Sequence, residues 1–252
     1  MIELRLHGFL VLTIIASAAV TFALLLRVTA PYGRHVRAGW GPTIPARVAW
    51  IVMESPATLL FVAVYFAGDR ALATVPLVLL AMWQLHYINR TFIYPLRIRE
   101  SNKRMPISVA GMAFLFNCLN AYINARWISH FAEYPTSWLA SNAFVLGALC
   151  FSVGWAINQH ADTTLLRLRQ RNETDYQIPR GGLYRWISCP NYFGEMLEWV
   201  GWAIATWSLA GTAFAAFTVA NLLPRALANH RWYQQEFAGY PSSRRAVIPY
   251  LL

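Results

Sequence analysis

"TVPLVLLAMWQLHYINRTFIYP", residues 74–95, begins as an unbroken apolar run and closes on His86, Tyr87, Asn89, Arg90 and Tyr94. At 1.5 Å of rise per residue, about twenty helical residues cross a hydrocarbon core of roughly 30 Å. No polar stripe recurs at helical spacing along the first dozen positions, so the segment reads as a membrane span and not as the surface helix of a soluble domain. Its polar end then needs a reason, because an ionisable side chain inside a bilayer costs at least about 2.5–3.5 kcal/mol and is a functional hypothesis by default.

The rest of the chain agrees with that reading. The 252 residues are 57% hydrophobic, 15% aromatic and only 13% charged, against roughly 25% charged for a soluble domain. Scanning for apolar runs gives seven segments, at 8–26, 47–67, 72–93, 106–125, 137–157, 190–208 and 211–224. The expected fold is an all-α integral membrane protein, a single domain over 1–252 with seven transmembrane helices. "ASA" at 16–18 mimics a signal-peptide cleavage site, but the apolar run continues through Leu26 into basic residues, so the first segment is expected to be retained.

Charge fixes the expected orientation. Before the first segment stands Arg5; after it come Arg27, Arg34, Arg37 and Arg47, then Arg70 alone, then Arg97, Arg99, Lys103 and Arg104, then Arg126 alone. Arg167, Arg169, Arg171, Arg180 and Arg185 follow, and the tail carries Arg225, Arg231, Arg244 and Arg245. By the positive-inside rule this alternation puts the N-terminus outside and the C-terminus in the cytosol. The longest polar stretch, 158–182, would then be a cytosolic connection suited to a water-soluble ligand.

Several classes are disfavoured. Cys118, Cys150 and Cys189 have no paired spacing, so neither a disulfide framework nor a metal site is expected. The net charge of +10 comes from residues that punctuate apolar segments instead of forming one stripe, so no nucleic-acid partner is expected. No GxGxxG or P-loop pattern occurs, and a nucleotide would have to bind outside those frameworks.

The intramembrane polar groups are Glu54 in the second segment, His86, Tyr87 and Arg90 in the third, Asn117, Asn120 and Asn124 in the fourth, and Glu195 and Glu198 in the sixth. The asparagines read equally well as glue between helices, and Arg90 as a side chain snorkelling to the surface. Neither account covers Glu54 with Tyr87. A carboxyl kept neutral in an apolar pocket and a phenol are both hydrogen-bond donors, and two converging donors suit the oxyanion that forms when an enone accepts a nucleophile. The arginines and aromatics of residues 165–202 and 225–249 suit a phosphorylated, flat-ringed nucleotide.

Five ordered segments now carry a resemblance: "AWIVMESP" (49–56), "HYINRTFIYP" (86–95), "INQHAD" (157–162), "IPRGGLYRWISCPNYFGEMLEWVGWAIATWSL" (178–209) and "RWYQQEFAGYPSSRRAVIPYLL" (231–252). Across nearly its whole length the sequence resembles the membrane-embedded steroid 5-alpha-reductases. The resemblance implies a seven-helix reductase that uses NADPH to saturate the 4,5 double bond of a 3-oxo-4-ene steroid. It puts Glu54 and Tyr87 on the catalytic pair that contacts the 3-oxo group, and Trp50 on a position that packs against the steroid. For NADPH it points to Arg90, Tyr94, Asn158, Asp162, Arg169, Asn191, Glu195, Arg225 and Tyr233, with Arg97, Arg99, Arg104, Tyr176 and His230 as looser matches.

Two departures stand out. Met53 occupies the place of a glutamine, so the substrate pocket is expected to differ there, and His230 stands alone where vertebrate members resemble a histidine run. The rival readings are a related membrane enoyl or polyprenoid reductase, an isoprenylcysteine-type methyltransferase, and a transporter. The steroid is expected to enter from lipid, no obligate protein partner is evident, and a monomer is expected. The Ala- and Arg-rich composition and the ending "IPYLL", without a retrieval signal, lean towards a bacterial inner membrane over an endoplasmic reticulum.

Overall fold

The computed structural model describes residues 1–31, 33–35, 37–98, 103–171 and 176–252, with only the backbone described at 169–171. Among them run seven long helices: α1 (Ile2–Arg27), α2 (Ala46–Phe66), α3 (74–97), α4 (Ile107–Phe131), α5 (Asn142–Arg171), α6 (Pro190–Thr206) and α7 (Leu209–Glu236). Three of these, α1, α2 and α4, are long and apolar enough to cross a membrane. The others combine apolar stretches with polar ends or are shorter, α6 having 17 residues.

Among the boundaries that differ from the sequence reading, three have a visible cause. The first helix begins at Ile2 and not near residue 8, because its polar start is anchored: Arg126 donates to both carboxylate oxygens of Glu3, at 2.8 and 2.9 Å. The fifth helix continues to Arg171 through the stretch read as a connection. Asn158, Ala161, Asp162 and Leu166 are buried there at the spacing of one helix face, so the polar residues decorate a helix instead of ending it. The seventh continues past Pro224 to Glu236, since a proline removes one N–H donor while Ala226 and Tyr233 beyond it are buried.

The all-α expectation needs one amendment. Strands β1 (Thr43–Pro45) and β2 (Arg104–Pro106) form an antiparallel ribbon that sets Ile44 opposite Met105. Each strand ends on a proline and its helix begins at the next residue, Ala46 or Ile107. The fixed proline φ suits that junction, and its missing N–H is no loss at a helix start. The ribbon thus ties the beginnings of α2 and α4 together.

Two devices shape the interior. Helices α5 and α6 pack antiparallel through glycines: a Cβ at Gly154 would lie 2.4 Å from the Glu198 nitrogen, and one at Gly194 would lie 2.6 Å from the Asn158 nitrogen. Only glycine permits backbones so close. In addition, α2, α3 and α4 each contain a π-helical turn, at Pro56–Leu60, Asn89–Ile93 and Trp127–Phe131. Such turns cluster at functional sites because they free backbone groups from the helix ladder.

Between these helices lies an aromatic core. Trp83 stacks on Phe61 at 4.3 Å, and Trp199 meets Phe214 at 4.3 Å between ring centroids. Large rings of this kind bury about 150–250 Å² each. Trp202 donates to Asn124 at 2.9 Å, and Asn124 donates to Asn120 of its own helix at 2.9 Å, so Asn124 joins α4 to α6 and Asn120 braces it.

Candidate active site

The charged cluster is assembled by the glycine contact. With α5 and α6 held backbone to backbone, Asn158 and Asp162 on α5 face Asn191 and Glu195 on α6. Asn158 donates to the Asn191 carbonyl at 3.0 Å, and the Asn191 amide donates to Asp162 at 3.1 Å. Arg90, from the π turn of α3, reaches Asp162 at 3.3 Å and lies 3.7 Å from Glu195. Its guanidinium also lies 4.5 Å from the Trp50 ring and 5.1 Å from that of Tyr94. A delocalised cation suits such stacking, and two carboxylates with two aromatic faces make its burial tolerable.

Above this cluster opens a cavity of about 560 Å³, lined among others by Trp50, Arg90, Tyr94, Arg104, Asp162, Tyr176, Asn191, Arg225 and Tyr233. Its size falls within the usual range of small-molecule sites, about 300–1,000 Å³. Arg225 donates to the Tyr192 hydroxyl at 2.9 Å. Arg104 is turned to Thr43, donating to its hydroxyl at 2.8 Å. His230 lies behind the wall, 2.5 Å from the hydroxyl of Ser188.

The remaining candidates sit elsewhere. Arg97 points to Thr163 at 2.9 Å and is not part of the cavity lining. Met53 is buried with Ala49, Met105 and Ala110, beside the ribbon. Arg99 lies outside the described residues, as does the side chain of Arg169.

Sequence reasoning passed over the segment between α1 and α2. Arg34 lies within 5.2 Å of three rings, those of Tyr176, Trp232 and Tyr233, and donates to the Tyr233 hydroxyl at 3.3 Å. Its buried Nη1 has no hydrogen-bond partner among the described residues, and the residue lines the cavity. His35 pairs with Asn229 at 3.0 Å, and burial, aided by Arg34 and Arg37, holds its pKa below the usual imidazole value. No local pattern announces this cage, since its rings come from more than 140 positions away.

Glu54 and Tyr87 lie one helical turn beyond Trp50 and Arg90, and neither lines the cavity. The third α4 asparagine belongs to them. Asn117 donates to the Met53 carbonyl at 2.7 Å and to the Glu54 carboxylate at 3.0 Å. A carbonyl can only accept, so the first bond orients the amide and aims its N–H₂ at Glu54. Among the described residues nothing hydrogen-bonds the Tyr87 hydroxyl, though its ring is buried against Trp83, His86 and Trp199. His86, the residue that made the third segment conspicuous, is 2.9 Å from Glu198, a pairing the sequence reading left unassigned.

Comparison with known proteins decides the family. A family model described as 3-oxo-5-alpha-steroid 4-dehydrogenase matches residues 103–252. The chain is 45% identical over 250 residues to Steroid 5-alpha-reductase DET2 of Arabidopsis thaliana, covering 96% of this chain and 95% of that protein. The chain belongs to the steroid 5-alpha-reductase family. Members named 3-oxo-5-alpha-steroid 4-dehydrogenase 1 match at 41% over 241 residues in Bos taurus, covering 94% of this chain and 93% of that one. The Homo sapiens protein of that name matches at 39% over 238 residues, with 94% and 92% covered. These relatives come from a plant and from animals and lend no support to the expected bacterial inner membrane.

Proposed function

We propose that this protein is an integral, multi-pass reductase that saturates the 4,5 double bond of 3-oxo-4-ene steroids with NADPH. The observation that carries the reading is the juxtaposition of two unlike sites one helical turn apart. One is the largely apolar setting of Glu54 and an unengaged Tyr87 hydroxyl, whose ring packs on Trp83 and Trp199; the other is a cavity edged by Arg34, Arg90, Asp162 and Arg225. The first fits a ketone on an apolar body and the second a charged, flat-ringed cofactor.

The dinucleotide fits the residues present. Arg34 has a buried donor without a partner and a stack of three rings beside it, and Arg225 also faces the cavity. When bound, NADPH supplies hydride equivalents to the carbon beta to the substrate's ketone, C5 of the steroid. The chain's part is positional and electrostatic. Tyr87 donates to the 3-oxo oxygen, and Glu54 joins it while Asn117 holds the other side of the carboxyl group. Negative charge that moves onto that oxygen then meets donors already in place, which lowers the barrier without reorganisation. A proton delivered to C4 completes the saturation.

The seven helices would all cross the membrane with the N-terminus outside, placing the basic connections and the cavity on the cytosolic side. The steroid would then arrive through lipid and the cofactor from water. The reading is tested with purified protein in detergent, following NADPH oxidation and the steroid product for wild type, Glu54→Gln and Tyr87→Phe. A 5-alpha product from wild type, reduced about 10²–10³-fold in both variants with NADPH still bound, is the expected result. Oxidation that persists unchanged in both variants overturns the assigned roles.

A further inference from the structure

Two of the three π turns face each other, and the hydroxyls on them meet. In α2 the π turn is closed by the Phe61 N–H bonding the Pro56 carbonyl, and in α3 by the Tyr94 N–H bonding the Asn89 carbonyl. Side chains of α3 bond the α2 turn: Trp83 donates to the Ala57 carbonyl at 2.7 Å, and Gln84 to the Thr58 carbonyl at 3.2 Å. Thr58 and Thr91, both buried, lie 2.7 Å apart through their hydroxyl oxygens. The Thr58 hydroxyl is also 3.3 Å from the carbonyl of Tyr87, and the Thr91 hydroxyl 3.2 Å from the carbonyl of Glu54.

The pattern is specific. Threonine in a helix ordinarily bonds a carbonyl three or four residues back in its own helix. Here each reaches across to the other helix, and the two carbonyls chosen belong to the two residues assigned to the ketone. Two hydroxyl protons serve three contacts, so one bridges the pair while the other reaches a carbonyl; the hydroxyls act as one unit.

We propose that Thr58 and Thr91 are positioning residues that fix the separation and rotation of Glu54 relative to Tyr87. This rests on the reading of Glu54 and Tyr87 as the ketone-holding pair. The hydroxyl pair sets the register of α2 against α3 where those two side chains depart, and a misplacement of about 1 Å at a reacting centre can cost on the order of 10²-fold in rate. Neither threonine touches substrate; both act through the backbone of residues that do.

The test uses the full chain in detergent, with 3-oxo-4-ene steroid turnover, direct NADPH binding and thermal unfolding measured on Thr91→Val, Thr91→Ser, Thr58→Val, the double valine variant and Glu54→Gln. Valine keeps the branched shape of threonine and puts a methyl group in place of the hydroxyl. Thr91→Val is expected to lower kcat about 10- to 100-fold with NADPH affinity unchanged, and Thr91→Ser to restore it to within about threefold of wild type. Because the two hydroxyls act together, the double variant should be little worse than either single one. If Thr91→Val melts earlier but keeps its kcat, or if serine fails as valine does, the pair is packing and the proposal is wrong. If Glu54→Gln itself retains full turnover, the ketone-holding reading falls and takes this one with it; if Glu54→Gln is inactive while both valine variants turn over normally, only the threonine proposal falls.

Discussion

The walls on either side of the site are built by different physics. On the α5–α6 side, glycines bring two backbones into contact and charged side chains then converge on Arg90. On the α2–α3 side, the helices are loosened by π turns and rejoined by hydroxyl, indole and amide side chains. The first arrangement is set by backbone contact, which suits a site that must hold several charged partners around one guanidinium. The second keeps its register through individual hydrogen bonds, each worth about 0.5–1.5 kcal/mol, and can be tuned one atom at a time.

The contrast is most easily broken at Gly154. A leucine there would drive its Cβ towards backbone atoms of α6, which cannot swing aside as a side chain can. Gly154→Leu should cost about 3 kcal/mol or more and abolish NADPH binding, read as a lowered Tm and lost cofactor fluorescence transfer. Normal binding by this variant would mean that the α5–α6 wall is no more rigid than its neighbour. Arg34→Gln should act next most strongly, weakening NADPH about 10- to 100-fold through loss of a charge-assisted donor while leaving the KM for steroid unchanged.

On the opposite wall, Asn117→Leu removes one donor to Glu54 and should reduce kcat about tenfold, with cofactor affinity intact. A fall in NADPH affinity instead would show that the two walls are not separable. The smallest effect concerns His35. Its folded pKa lies below the unfolded value of about 6.5, so its contribution is complete above that value and is lost as pH falls through the folded pKa. The Tm difference between wild type and His35→Asn should therefore shrink from pH 7.5 towards pH 5.5; a difference independent of pH would remove the imidazole from the account.

Legibility in the sequence followed the range of the interactions. Long apolar runs gave the helix order, Arg90 and Glu195 stood out because charge in an apolar chain demands partners, and Asn158, Asp162 and Asn191 were named only through the family resemblance. The structure brings those five together. The extension of α5 was also written in the spacing of Asn158, Asp162 and Leu166, but its polarity masked its period. Other features had no local signature. The π turns leave no compositional trace, Arg34 meets rings from distant segments, and His86 and Glu198 declare their pairing only once α3 lies against α6.

The small ribbon between the α1–α2 and α3–α4 connections works as a depth gauge. Glu54 lies nine residues beyond Pro45 and Asn117 eleven beyond Pro106, which at 1.5 Å per helical residue puts them about 14 and 17 Å below a common origin. Both helices start from the same three-residue pairing at the cavity rim, where Thr43, Arg104 and Met105 stand, so the ribbon references acceptor and donor to one level. The meeting of carboxyl group and amide is thus set by counting residues down two helices that start side by side.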